Sequence, residues 1–231
     1  MDPDSSASPR AFFGRHKRHA LKPRQAALVE TLLPRLGLDL AQAAPADPRT
    51  LFPHSVDEVR LEIGFGGGEH LVAQAAANRS VGYIGTDAFL NGVAKALVAI
   101  DEHRLDNVRL FSGDASELID WLPGASLARI DLLYPDPWPK RRHWKRRFVQ
   151  DDNLKRLARL LKSGGEFRFA TDIPGYAEYV LMRILRSSDF VWTAARADDW
   201  RKPWPGFVRT RYEAKAIREG RTPAYFIFRK V

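Results

Sequence analysis

A doubly wound α/β fold, with a mostly parallel seven-stranded sheet and helices on both faces, is what this 231-residue sequence predicts. Three observations carry the expectation. From Val59 onward, short apolar runs alternate with segments of helical period; the first run ends in a glycine-rich corner; the fourth stops at prolines. Strands that alternate with helix-length segments need crossover connections, which make neighbouring strands parallel and lay helices on both faces of one sheet.

The elements follow in order. Residues 1–9 (MDPDSSASP) are polar and Pro/Ser-rich, the composition of a disordered segment. Residues 10–24 hold six Lys/Arg and no acid, either a flexible basic tail or an arm that orders on a phosphate backbone. The expected organisation is therefore a basic arm over 1–24 and a single domain over 25–231. Residues 24–36 (RQAALVETLLPRL) have helical spacing, and the proline-containing 41–55 reads as a loop. VRLEIGF is the first strand, followed by helical HLVAQAAAN; SVGYIGTD is the second, followed by LNGVAKALVAIDEH; NVRLFSGD is the third, followed by ASELIDWL. LARIDLLY runs into PDPW as the fourth strand with its stop. FVQDDNLKRLARLLKSGG predicts a helix with a glycine C-cap, and GEFRFATD a fifth strand. YAEYVLMRILRSS predicts a further helix. FVWTAAR and AYFIFRKV are the last strands, separated by a Pro/Trp/Arg-rich insertion.

Composition narrows the function classes. Net charge is +9, an excess that suits a polyanionic partner, because Lys/Arg groups on phosphates release condensed counterions. The absence of cysteine excludes disulfides, thiolate zinc sites and thiol nucleophiles, and fits a reducing compartment. No apolar run reaches bilayer length and no hydrophobic leader follows the acidic N-terminus, so a cytoplasmic, non-membrane protein is expected. The six histidines show no metal-ligand spacing, and no metal is expected.

In a doubly wound sheet, ligands bind beyond the C-terminal strand ends, where strand order reverses. There the first strand ends in LEIGFGGGE, with glycines at 64, 66, 67 and 68. Glu69 stands where a dinucleotide fingerprint wants a third small residue; a carboxylate at that helix start opposes a pyrophosphate. The corner is thus built for close backbone approach to a ligand without phosphates. Glu62 precedes it and is expected to point into the same crevice. Asp87 ends the second strand, 23 residues beyond Gly64, where a carboxylate can accept both ribose hydroxyls. Asp114 ends the third, placed to meet an adenine edge. Each acid alone could equally be an N-cap or a loop residue. Together with Gly64 and Gly66, they suit a cationic nucleoside, and S-adenosyl-L-methionine fits that description.

The fourth strand delivers YPDPWPKRRHWKRRF, in which Asp136 sits in a proline frame and six Lys/Arg fall within residues 140–147. This string closely resembles the signature of the bacterial tRNA (guanine-N7-)-methyltransferase family, and the resemblance runs from about residue 56 to the end. EIGFGGGEHL is similar to that family's cofactor turn, GYIGTD and GDA to its second- and third-strand acids, GGEFRFATD to its fifth strand and TRYE to its T-[KR]-[FY]-E segment. The resemblance implies a class I methyltransferase that uses S-adenosyl-L-methionine, releases S-adenosyl-L-homocysteine, and methylates guanine N7 in the variable loop of tRNA. It implies cofactor contacts at Glu62, Asp87, Asp114 and Asp136, with Asp136 also the active-site residue. Substrate contacts are implied at Lys140, Asp172, Thr210, Arg211, Tyr212 and Glu213. The family often has Glu where this chain has Asp87; the shorter acid keeps its two acceptor oxygens. The family contains monomers and homodimers, and no obligate protein partner is expected.

Guanine N7 is an unprotonated lone-pair acceptor. Attack on a sulfonium methyl therefore needs no general base, and positioning and electrostatics carry the catalysis. Asp136 is expected to orient the base and stabilise the developing cation. Asp172 or Glu213 could read the guanine N1–H and amino group; Trp138 could stack on a base or pack internally. Arg141, Arg142, Lys145, Arg146 and Arg147, beside Lys140, form the expected phosphate clamp, extended by Arg209, Arg211, Lys215, Arg218 and Arg221. His143 is expected to be a neutral RNA contact or a structural hydrogen bonder. Three other readings compete: a methyltransferase of the same cofactor fold acting on ribosomal RNA or protein, including an amino-group enzyme using the Pro137 carbonyl; a non-catalytic RNA-binding protein; and an NAD-dependent oxidoreductase.

Overall fold

The computed structural model describes residues 20–231. Most of the expected basic arm lies outside the described residues. Helix α1 (Pro23–Thr31) opens with proline at its first position, where a missing N–H costs nothing. With α2 (Leu33–Leu36) it lays Leu28, Val29, Leu32 and Leu33 on one face of the sheet domain. Arg24 pairs with Asp101 and Glu102 at 3.1 and 2.7 Å, so the folded region begins slightly before the expected boundary.

The core elements are β1 (Glu58–Ile63), α3 (Glu69–Ala77), β2 (Val81–Thr86), α4 (Leu90–Glu102), β3 (Val108–Phe111), α5 (Ala115–Trp121) and β4 (Leu127–Leu133). There follow α6 (Asp151–Leu160), β5 (Leu161–Thr171), α7 (Pro174–Ile184), β6 (Phe190–Trp192), α8 (Asp198–Arg201), α9 (Arg211–Arg218) and β7 (Ala224–Lys230). Strand order is β3-β2-β1-β4-β5-β7-β6, with β7 antiparallel to both β5 and β6 and the other pairs parallel. The order reverses between β1 and β4, which sets the crevice at their C-terminal ends.

Two apolar layers flank the sheet. Leu71, Val72, Val93, Leu97 and Ile100 of α3 and α4 pack on one face. Leu118, Leu154, Leu157, Tyr176 and Val180 of α5, α6 and α7 pack on the other, against Leu61, Ile130 and Phe167. Each such fully buried side chain contributes about 1.5–3 kcal/mol.

One expectation is corrected. Gly164 and Gly165 do not cap α6; the helix stops at Leu160 and the chain enters β5 at once through an extended Leu161. The glycines instead form an irregularity inside β5: Leu127 pairs with Leu161 but Arg129 pairs with Glu166, and Gly164 carries φ +75° in the excess loop.

Candidate active site

Glycine at 64, 66 and 68 is required by the backbone, with φ of +70°, +59° and +81°. The turn is braced from three sides. Asp87 accepts from the Gly66 and Phe89 amides, both at 2.8 Å. On α4, Gly92 lies so close that a Cβ there would stand 2.2 Å from the Gly66 carbonyl oxygen. Arg211 and Tyr212 of α9 cover the turn, at 3.3 Å from where a Gly66 Cβ would be. Burial pushes the Asp87 carboxyl pKa up, opposed by its two amide donors and by Arg211.

Glu62 is not on the crevice wall. It is 4% exposed beneath the turn, with Oε2 2.8 Å from His70 Nδ1. Burial raises the Glu62 pKa, against the pull of His70. Burial lowers that of His70, but the Glu62 carboxylate outweighs it and the net shift is upward. The pair braces the start of α3 from below, and Arg129, bonded to Asp131 at 2.8 Å, lies alongside. Asp114 combines both roles weighed for it: it caps α5 by accepting from the Ser116 amide at 2.8 Å, and it lines the cavity.

That cavity, about 510 Å³, occupies the switch point. Gly64, Gly66, Asp87, Asp114, Asp136 and Tyr212 line it, with Lys145 and Arg146 on its wall. Asp136 is exposed, in a loop whose ends are both left-handed without being glycine: Tyr134 at φ +52° and Trp138 at φ +42°. Such residues cost about 1–2 kcal/mol each, so the loop must be held by its surroundings. The Tyr134 amide donates to the Ala170 carbonyl at 2.8 Å, Arg147 Nε to the Pro137 carbonyl at 2.8 Å, and Trp144 Nε1 to the Pro139 carbonyl at 3.4 Å. Trp138 is half-buried, with the Arg146 guanidinium 5.0 Å over its ring and His143 edge-on at 5.8 Å.

The basic run forms a 3-10 helix, Arg141–Arg146, that exposes Lys140, Arg141, Arg142 and Lys145. Arg146 is half-buried against Trp138. Arg147 is a correction to the expected clamp: at 3% exposure it points inward and cannot meet a phosphate. Desolvation and then Arg146, Arg142 and Lys140 hold the His143 pKa below its ordinary value.

The TRYE segment divides. Arg211 and Tyr212 reach the glycine turn, whereas Thr210 and Glu213 are buried behind it. Thr210 Oγ1 caps α9 by accepting from the Glu213 amide at 3.2 Å. Glu213 accepts from the Tyr225 hydroxyl. Asp172 accepts from Arg221 Nε at 2.5 Å. Arg221 also pairs with Glu219, so this cation of the expected extension is engaged internally, whereas Arg209, 3.7 Å from Glu213, stays exposed. Sequence reasoning missed His70, Tyr225 and the inward turn of Arg147; their hydrogen-bond partners lie 8, 12 and up to 28 residues away, on other elements. Among the described residues no cluster of His, Asp and Glu suited to a metal ion is found, and no helix is long and apolar enough to cross a membrane.

Comparison with known proteins agrees with this geometry. Residues 57–225 match a family described as putative methyltransferase. The tRNA (guanine-N(7)-)-methyltransferase of Nitrobacter hamburgensis is 56% identical over 98% of this chain and 91% of its own. That of Bradyrhizobium diazoefficiens is 56% identical over 99% and 97%. Among solved structures, the 16S rRNA methyltransferase KamB superposes with a TM-score of 0.60 at 15% identity, over 82% of this chain and 95% of that one. The aminoglycoside resistance methyltransferase NpmB1 gives 0.54 at 18% over the same shares. At such identities these two show the fold, a class I methyltransferase sheet. The chain belongs to the tRNA (guanine-N(7)-)-methyltransferase family.

Proposed function

We propose that the chain transfers a methyl group from S-adenosyl-L-methionine to N7 of a guanine in the variable loop of tRNA. The observation that carries the reading is one cavity that joins a glycine cradle, the acids Asp87 and Asp114, the exposed Asp136 and the cations Lys145 and Arg146. The cradle suits a phosphate-free nucleoside: Gly64 and Gly66 admit close backbone approach, while Glu69 in the first turn of α3 disfavours a pyrophosphate. Asp87 has lone pairs left beyond its two amide donors for ribose hydroxyls, and Asp114 keeps one oxygen for an exocyclic amine. Glu62 acts from beneath, by holding the turn. Bound S-adenosyl-L-methionine supplies an electrophilic methyl on sulfur, with S-adenosyl-L-homocysteine as by-product.

This chain's residues then do three things. Asp136 orients the guanine and stabilises positive charge as N7 is alkylated; no proton has to leave, so no general base is needed. Lys140, Arg141, Arg142, Lys145 and Arg146 hold phosphates, which positions RNA without reading its sequence. Tyr212 and Arg211 cover the turn, and of Asp172 and Glu213 the former is the nearer to solvent for the guanine Watson–Crick edge, although it is paired with Arg221, since Glu213 is buried on Tyr225. The amino-group reading uses the Pro137 carbonyl, where Arg147 already takes one of the two lone pairs. Incubation with S-adenosyl-L-methionine and unmodified tRNA, then reduction and aniline cleavage, tests the reading. A single cut in the variable loop is expected; methyl incorporation without a cut would move the reaction to another atom.

A further inference from the structure

The structure assigns Arg147 the role of a positioning residue that cross-links the loop bearing Asp136 to the loop bearing Asp172. This rests on the proposed methyl transfer and adds to it a residue at the cavity's edge whose guanidinium is turned into the protein. Five cations precede Arg147 in the basic run, yet its side chain turns the other way. Nε donates to the Pro137 carbonyl at 2.8 Å and Nη1 to the Gly175 carbonyl at 3.3 Å. The guanidinium carbon lies 4.5, 4.6 and 4.7 Å from the ring centroids of Trp144, Tyr179 and Tyr176. Among the described residues no carboxylate forms an ion pair with it.

Burying a cation without a carboxylate is costly, so its compensation must come from these carbonyls and ring faces. The Pro137 carbonyl belongs to the peptide that sets the φ of Trp138, one of the two left-handed residues framing Asp136. Gly175 stands in the first turn of α7, three residues after Asp172. One planar fork thus fixes both loops at once. Gln150 locks the cage: its amide donates to the Trp144 and Arg147 carbonyls at 2.7 and 3.1 Å, and its oxygen accepts from the Tyr179 hydroxyl at 2.9 Å. Lysine keeps the charge but not the two diverging donors or the flat face.

The test uses the full chain and Arg147→Lys, with Arg147→Met as the harsher change. Three quantities are read: the single-turnover methylation rate at saturating tRNA and S-adenosyl-L-methionine, the tRNA Kd against salt, and hydrogen exchange of segments 134–140 and 172–176. For Arg147→Lys, displacing the loops by a fraction of an ångström lowers the rate about tenfold, since misplacement by 1 Å can cost about a hundredfold. Kd and its salt slope stay at parent values, and exchange quickens in both segments but not in α3. For Arg147→Met, which removes the charge, a salt slope reduced by about one with an unchanged saturated rate would make Arg147 a phosphate contact and overturn the inference. Faster exchange throughout the domain, or in neither loop, would overturn it equally. If the parent chain fails to methylate tRNA, the proposed function falls, and the exchange pattern alone still decides the cross-link.

Discussion

Replacing Gly92 with alanine adds a methyl group where α4 meets the glycine turn, 2.2 Å from the Gly66 carbonyl oxygen. Real Cβ atoms essentially never approach within 3.0 Å, so helix and turn must part by about 0.8 Å or more. Two effects on stability oppose each other. Alanine is better than glycine in a helix by about 1 kcal/mol, and overpacking costs about 1–3 kcal/mol, so the net loss stays within about 2 kcal/mol. The effect on the ligand is larger. Moving Gly66 breaks the 2.8 Å bond from its amide to Asp87 and leaves a carboxylate of 7% exposure short of a donor. If binding has to restore the turn and that bond, the cost is about 1–3 kcal/mol, roughly a five- to 150-fold loss of affinity. Calorimetric titration with S-adenosyl-L-methionine, beside thermal denaturation, reads both quantities. An affinity within about twofold of the parent, at any stability, would refute the bracing of the turn by α4 and Asp87.

Arg142→Ala and Lys145→Ala should each reduce the slope of log Kd for tRNA against log salt by about one; unchanged slopes would remove these residues from the phosphate clamp. His70→Gln should flatten the pH dependence of stability. The raised pKa of His70 adds stability that is complete below pH about 6.5 and lost as pH rises through the folded value; the buried Glu62, whose pKa His70 pulls down, keeps its own pH dependence in the variant. Asp131 and Arg129, which also face the pair, remain in the variant. Urea denaturation across that range reads the difference, and parallel pH profiles for the two proteins would contradict the buried pair. Tyr225→Phe should cost about 1–3 kcal/mol in thermal stability by leaving Glu213 without its donor, and a neutral result would show that the hydroxyl contributes nothing.

What was legible in the sequence is periodic or punctuated. The strand–helix alternation, the glycine corner and the proline stop each depend on local backbone chemistry, and each appears where residue types indicated. The acids at strand ends were legible because a parallel sheet brings successive C-termini to one crevice. What was not legible depends on side-chain direction. Arg147 and Arg146 are identical neighbours in the sequence, yet one guanidinium is buried among Trp144, Tyr176 and Tyr179 and the other lies over Trp138, half-buried. Glu62 was expected in the crevice because it precedes the glycines; its alternation along β1 carries it under the turn to His70, on a different element. The glycine pair at 164–165 looked like a helix stop because both a C-cap and a strand irregularity need a left-handed residue, and only the pairing of β4 with β5 separates them.

The central claim is that a carboxylate held in a strained proline loop promotes methyl transfer to a guanine that other residues bind. Asp136→Asn keeps the shape of the side chain and removes its charge, and Asp136 is exposed, so folding should survive. The measurement is the single-turnover rate with saturating tRNA and S-adenosyl-L-methionine, alongside the tRNA Kd. The expected result is a rate lower by on the order of 10²–10³-fold, with Kd within about threefold of the parent. A rate near that of the parent, or a loss confined to tRNA binding with normal turnover per complex, would contradict the account.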